Sequence, residues 1–213
     1  MAAQLKVKWN GVVMAQLDSP NKTLERQIRE EVREWSSIVL ETPRSDMDGL
    51  TTCPYAKAAW DSNKVLMTFK RDASYAPIYE SLEQFNDDFS INIVIDLDYE
   101  DTAEEFHERI DSLNYGISNG TFGDTDLWVM GSHPDDGEYE TVDATDFEQT
   151  NDCSYAMIYI QRLKDLQKAV HKLKATKYYS FVFNDDEPSH VFKLREQFYK
   201  QLIGELDERE AYK

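Results

Sequence analysis

The sequence predicts an α+β fold with a ferredoxin-like βαββαβ core, a mainly antiparallel sheet, and additional helices at its N-terminal and C-terminal ends. Three observations carry this expectation. Between Ile91 and Phe183 strand-like and helix-like patterns follow one another in the order β-α-β-β-α-β. Both helical patterns carry an apolar stripe at steps of three and four residues. Hydrophobic residues make up 41% and aromatics 12% of the 213 residues, enough for a core that needs no disulfide staples.

The elements follow in order. Leu24, Ile28, Val32, Trp35 and Val39 trace one helical face after the capping cluster Ser19-Pro20-Asn21, with Arg26, Arg29, Glu30, Arg33 and Glu34 on the other side. A polar loop leads to Cys53-Pro54-Tyr55-Ala56-Lys57. Val65, Met67 and Phe69 mark a strand over 64–70, and a helix opens at Pro77 with Ile78, Leu82, Phe85 and Phe89 on one face. Ile91 to Leu97 is a β-branched run expected of a buried strand. Thr102 to Glu105 forms a capping box for a helix that turns Phe106, Ile110 and Leu113 inward. Further strands are expected at 126–131, 155–161 and 178–183, with a helix through Leu163, Leu166, Val170 and Leu173 between the last two. Pro188 opens a final helix carrying Val191, Leu194, Phe198, Leu202 and Leu206. The chain therefore reads as a single domain over 1–213. Residues 1–90 form an extension packing on the core, 91–184 the ferredoxin-like core, and 185–213 the C-terminal helix.

Charge narrows the range of functions. Lys and Arg number 23 against 41 Asp and Glu, a net charge of −18. A sequence-independent grip on nucleic acid depends on cationic side chains neutralising phosphates, so direct nucleic-acid binding is not expected, whereas a basic protein partner suits this charge. No apolar run approaches the ~20 residues of a membrane-spanning helix, and no signal-peptide pattern opens the chain. The expected setting is the cytoplasm, or a host cytoplasm if the source is viral. Cys53 and Cys153 are read as free thiols. The composition leaves a homo-oligomer open.

The stretch from Ser132 to Asp152 is the most unusual chemically. His133 stands at a strand end with Asp135, Asp136 and Glu138 close behind, and no Lys or Arg occurs between Arg109 and Arg162. Crowded carboxylates repel unless they are solvated or share a cation. Imidazole plus hard oxygen donors could ligate Fe, Mn or Zn, so His133, Asp135, Asp136 and Glu138 form a candidate metal set; the plainer alternative is a solvated acidic loop. Cys53, restrained by Pro54, is either a nucleophile or a small buried apolar residue. Acidic neighbours make Cys153 the less reactive thiol, and His107, His171 and His190 read as structural. Phosphate-binding, Cys-x-x-Cys and Gly-x-Ser-x-Gly signatures are absent.

Several short motifs stand in a distinctive order: Trp35, Cys53-Pro54-Tyr55-Ala56-Lys57, Gln84-Phe85-Asn86-Asp87-Asp88-Phe89, Gly131-Ser132-His133-Pro134, Asn151 to Tyr155, and Met157 to Arg162. In this order the chain resembles an uncharacterised bacterial family, domain of unknown function 1415, over roughly the stretch from Trp35 to Leu173. It departs from the family at Asp152, Cys153, Ala156 and Tyr159, as a divergent member would. The resemblance singles out Cys53, His133 and Tyr155 together and supplies no reaction.

Two functions follow from these readings. The first is a small-molecule enzyme of unknown substrate, with oxidative or hydrolytic metal chemistry favoured over cysteine chemistry. In it His133 is a metal ligand or general acid/base, Cys53 a thiolate, and Tyr155 and Arg162 position the substrate. The second is a non-catalytic acidic protein that binds a basic partner or mimics nucleic-acid charge.

Overall fold

A computed structural model describes residues 20–45, 49–136, 155–173, 176, 178 and 190–205. The chain forms an α+β structure in which helices cover both faces of one four-stranded mixed sheet. Helix α1 (Pro20–Trp35) passes into a π-helical turn (Ser36–Leu40), and the short α2 (Ala56–Asp61) leads to strand β1 (Val65–Lys70). Then come α3 (Ala76–Glu83), β2 (Ile91–Asp96), α4 (Ala103–Ser118), β3 (Leu127–Ser132) and β4 (Ala156–Arg162). Helices α5 (Leu163–Leu173) and α6 (His190–Leu202) complete the described elements. No helix among the described residues is long and apolar enough to cross a membrane.

The strand order is β1-β2-β4-β3. Strands β1 and β2 are parallel, whereas β4 runs antiparallel to both β2 and β3. This corrects the mainly antiparallel expectation: the sheet is mixed because β1, assigned from sequence to an N-terminal extension, is one of its strands. The strand expected over 178–183 lies outside the described residues except for Tyr178. The place beside β2 is held by β1, joined to it through α3 in the parallel crossover that a helix-length connection permits.

Pleating divides the core between the two faces. Val94, Val129, Ile158 and Ile160 pack against α3 and α4 through Ile78, Leu82, Phe106, Ile110 and Leu113. Met67, Ile93, Ile95 and Met157 on the opposite face pack against Ile28 and Val32 of α1. Leu24, expected on the same stripe, is exposed because it lies a turn beyond the sheet contact. Trp128 is covered by Leu163, Leu194 and Phe198. The capping box holds as the sequence predicts: the Glu105 N–H donates to Thr102 Oγ1 at 3.3 Å and the Thr102 N–H donates to Glu105 Oε2 at 2.9 Å.

Two residues set how closely α4 lies on β3. A Cβ on Gly131 would overlap the Phe106 ring and come within 2.9 Å of Ile110 Cγ1, so the close approach requires glycine. Buried Asn114 donates from Nδ2 to Val129 O and accepts the Val129 N–H on Oδ1, both at 2.9 Å. The side chain thereby replaces a neighbouring strand along the outer edge of β3.

Candidate functional site

Strand directions decide which residues can meet. Strands β1, β2 and β3 run one way, so their C-terminal ends and the start of β4 share one end of the sheet. Lys70 is opposite Asp96, Asp96 opposite Ala156, and Ser132 opposite Met157 at that end; Leu127 and Arg162 are paired at the other.

At the shared end, Lys70 and Asp96 close two apolar strands as an ion pair. Lys70 Nζ donates to Asp96 Oδ1 at 2.9 Å and to Asp98 O at 3.1 Å, with side-chain exposures of 2% and 7% for the pair. The Asp98 N–H also donates to Asp96 Oδ1, at 3.0 Å. The pair forms the floor of a cleft lined by Tyr75, Asp98, Tyr99 and Asp101. Arg109 stacks over the Tyr75 ring at 4.1 Å and donates to Asp101 Oδ1 at 2.7 Å, while the Tyr75 hydroxyl donates to Asp101 Oδ2 at 3.2 Å. Burial pushes the Tyr75 phenol above its ordinary pKa; Arg109 opposes this and Asp101 adds to it. The cleft opens between the β1–α3 and β2–α4 connections, beyond the carboxyl ends of the parallel strands, where open sheets commonly bind ligands.

His133 lies at the same end, beyond β3. Its ring is fully buried, edge-on to Tyr99 at 5.0 Å and tilted against Phe106 at 5.5 Å. Its Nδ1 accepts the Asp135 N–H at 3.1 Å, which puts the proton of a neutral ring on Nε2, an atom with no hydrogen-bond partner among the described residues. That polarity is opposite to a metal-ligating imidazole, whose second nitrogen donates a hydrogen bond. The carboxylates are also turned elsewhere. Asp135 is 82% exposed with an oxygen 4.0 Å from Nδ1, and Asp136 accepts the His133 N–H on Oδ2 at 2.8 Å and pairs with His107 Nε2 through Oδ1 at 2.6 Å. Glu138 lies outside the described residues, as does Cys153. Among the described residues no three His, Cys, Asp or Glu side chains gather as a metal set.

The other sequence candidates are dispersed. Tyr155, at the start of β4, donates its hydroxyl to Glu31 Oε2 of α1 at 2.6 Å, and that bond, followed by one from Gln27, holds the Glu31 carboxyl below its usual pKa. Helix α1 runs from Glu25, paired with Arg71 beyond the end of β1, to Arg33, which stacks on Trp60 just before β1 begins. Cys53 belongs to that second end, its N–H donating to Leu40 O at 2.9 Å. It is therefore separated from His133 by the length of the sheet. Arg162 is opposite Leu127, about 20 Å from His133 at ~3.3 Å per residue, and forms ion pairs with Asp87 and Asp124.

Arg162 has a structural effect that pH reveals. Burial of Asp124 is the largest influence and opposes its ionisation, but the Arg162 hydrogen bond, the Asp126 N–H and the charges of Arg162 and Lys164 together outweigh it and hold the pKa below the ordinary 3.8. A depressed carboxylate contributes stability above its unfolded pKa and loses it as pH falls through the folded one. The stability difference between wild type and Arg162→Gln, read by urea unfolding, is therefore expected to be constant above about pH 5 and to shrink below about pH 4. A difference independent of pH would show that Arg162 acts through packing on Phe85 instead.

The sequence reading missed Lys70, Asp96 and the His107–Asp136 pair. A lysine and an aspartate each ending an apolar strand was a usable signal. The pairing of His107 was not, since it depends on α4 lying beside the end of β3. Comparison with protein-family models, curated proteins and solved structures finds no match to this chain.

Proposed function

We propose that this chain is a small-molecule enzyme whose site lies at the C-terminal end of the sheet around the start of α4, with His107 as general base. The observation that carries the reading is the 2.6 Å contact between His107 Nε2 and Asp136 Oδ1, with the second oxygen of Asp136 held by the His133 N–H. A carboxylate that fixes one imidazole nitrogen leaves the other, Nδ1, oriented to accept a proton, and the His107 side chain is 41% exposed. Lys70 is paired with Asp96 and Arg109 with Asp101, so the exposed Asp98 and Glu100 leave the cleft acidic and favour a substrate with a cationic group. The transition-metal reading is not carried further here because the donors described around His133, which do not include Glu138, are turned to other partners. As a divergent member of the family it resembles, the chain would share its Ser132-His133-Pro134 turn rather than a joint Cys53–His133 site.

The test is a thermal-shift screen of primary amines and guanidines against matched carboxylates, followed by product analysis with the best ligand. Amines should raise the melting temperature, Asp98→Asn with Glu100→Gln should remove that shift, and His107→Gln should keep binding while abolishing turnover. Preferential stabilisation by carboxylates would refute the cationic substrate, and turnover by His107→Gln would refute the base.

A second reading, an acidic surface for a basic partner in the cytoplasm, is supported by the exposure of Asp98, Glu100 and Asp135 at this same end. Poly-lysine binding that does not weaken between low and moderate salt would refute it.

A further inference from the structure

We propose that the outer edge of β1 is a docking site for an extended acidic peptide, which it takes up as an added strand. Strand β1 ends the sheet, and no strand pairs with its outer side among the described residues. Its inward carbonyls are identified by their donors: Lys64 O accepts the Ser90 N–H at 2.8 Å and Lys70 O the Leu97 N–H at 2.9 Å. Alternation along the strand then turns the backbone groups of Val65, Met67 and Phe69 outward. Met67 O agrees with this, for it accepts from Arg29 Nη2 of α1 at 2.7 Å rather than from a strand.

The charge along this edge is opposite to that of the whole chain. Arg29 and Arg71 lie over the Phe69 ring at 5.1 and 5.7 Å, and Arg26 is exposed one turn before Arg29 on α1; Glu25, paired with Arg71 at 2.6 Å, is the carboxylate set against these three guanidinium groups. In a protein of net charge −18, guanidinium groups are thus concentrated beside open backbone donors and acceptors. Beyond a screening length of roughly 8 to 10 Å the distant carboxylates act weakly on a ligand held here. The like charge of two such edges opposes pairing with a second copy.

A separate acidic segment meets no such repulsion. Its backbone would pair with Val65, Met67 and Phe69, and alternate carboxylates would face Arg26, Arg29 and Arg71, with Arg29 leaving Met67 O for a peptide carboxylate and Arg71 shared between that peptide and Glu25.

The probes are an alternating Val-Glu octapeptide, its Val-Lys counterpart, and two Val-Glu versions N-methylated at odd or at even positions. Binding is read by fluorescence anisotropy, and hydrogen exchange is followed over 64–71. The Val-Glu peptide should bind and slow exchange at 65–69, and one N-methylated version should lose binding. Arg26→Glu with Arg71→Glu should weaken binding at least tenfold, with Arg26→Glu alone, a change at an exposed site, as the variant that keeps the fold. Equal binding by both N-methylated versions would leave charge without strand pairing and overturn the proposal. So would tighter binding of Val-Lys, or no binding of Val-Glu at low salt.

Discussion

Replacing Lys70 by Met should destabilise the protein by about 3 to 5 kcal/mol, and Asp96→Leu by a similar amount, because each leaves one charge uncompensated in a buried site. The Lys70→Met/Asp96→Leu double variant should cost less than either single change. Removing both charges also removes the desolvation penalty each had borne, and what is lost is then chiefly the hydrogen bonds to Asp98. Urea unfolding of the four proteins closes the cycle. If the two single costs simply add, the pair is not coupled and the 2.9 Å contact carries no net interaction. The outcome also bears on function. A pair that apolar residues replace without loss of stability is held in place by something other than folding, and its position at the floor of a cleft makes ligand binding the role to test next, with the same double variant in the thermal-shift screen.

The second large effect is at Asn114. Its amide satisfies both backbone groups of Val129, so Asn114→Ala should leave a buried N–H and a buried C=O without partners, at roughly 1 to 3 kcal/mol each, or about 4 kcal/mol together. That is a large share of the ~5–15 kcal/mol by which domains are stable. The outer edge of β3 would also become available for strand pairing, so the variant should associate at concentrations where the wild type does not. Denaturant unfolding with light scattering measures both. A loss below about 1 kcal/mol would mean that water reaches Val129 and that the amide is not needed to close the edge.

The two edges of the sheet are thus closed in different ways. At β3 a buried amide supplies both missing partners of one residue. At β1 a mobile-length guanidinium covers a single carbonyl, which a competing strand could displace. The same contrast separates the two predictions above from the edge proposal, since Asn114 matters to stability and Arg26 should matter only to binding.

What the sequence alone determined was local. The strand at Ile91–Asp96, the helix capped by Thr102 and the burial of Ile28, Val32, Phe106 and Ile110 follow from period and capping chemistry, which act within a few residues. The position of His133 at a strand end was legible for the same reason. The tertiary structure decided what no local pattern carries: the direction of β1 beside β2, and hence which residues share an end of the sheet. Cys53, His133, Tyr155 and Arg162 were adjacent only as candidates. Strand direction sends Arg162 to one end and His133 to the other, α1 carries Cys53 away, and pleating turns Tyr155 toward Glu31. Conversely, Lys70 and Asp96, 26 residues apart, meet because parallel pairing puts the last residues of two strands side by side. His107 and Asp136 meet because Gly131 lets α4 lie close on β3. Spacing along the chain cannot encode such meetings, since they depend on the direction and packing of whole elements.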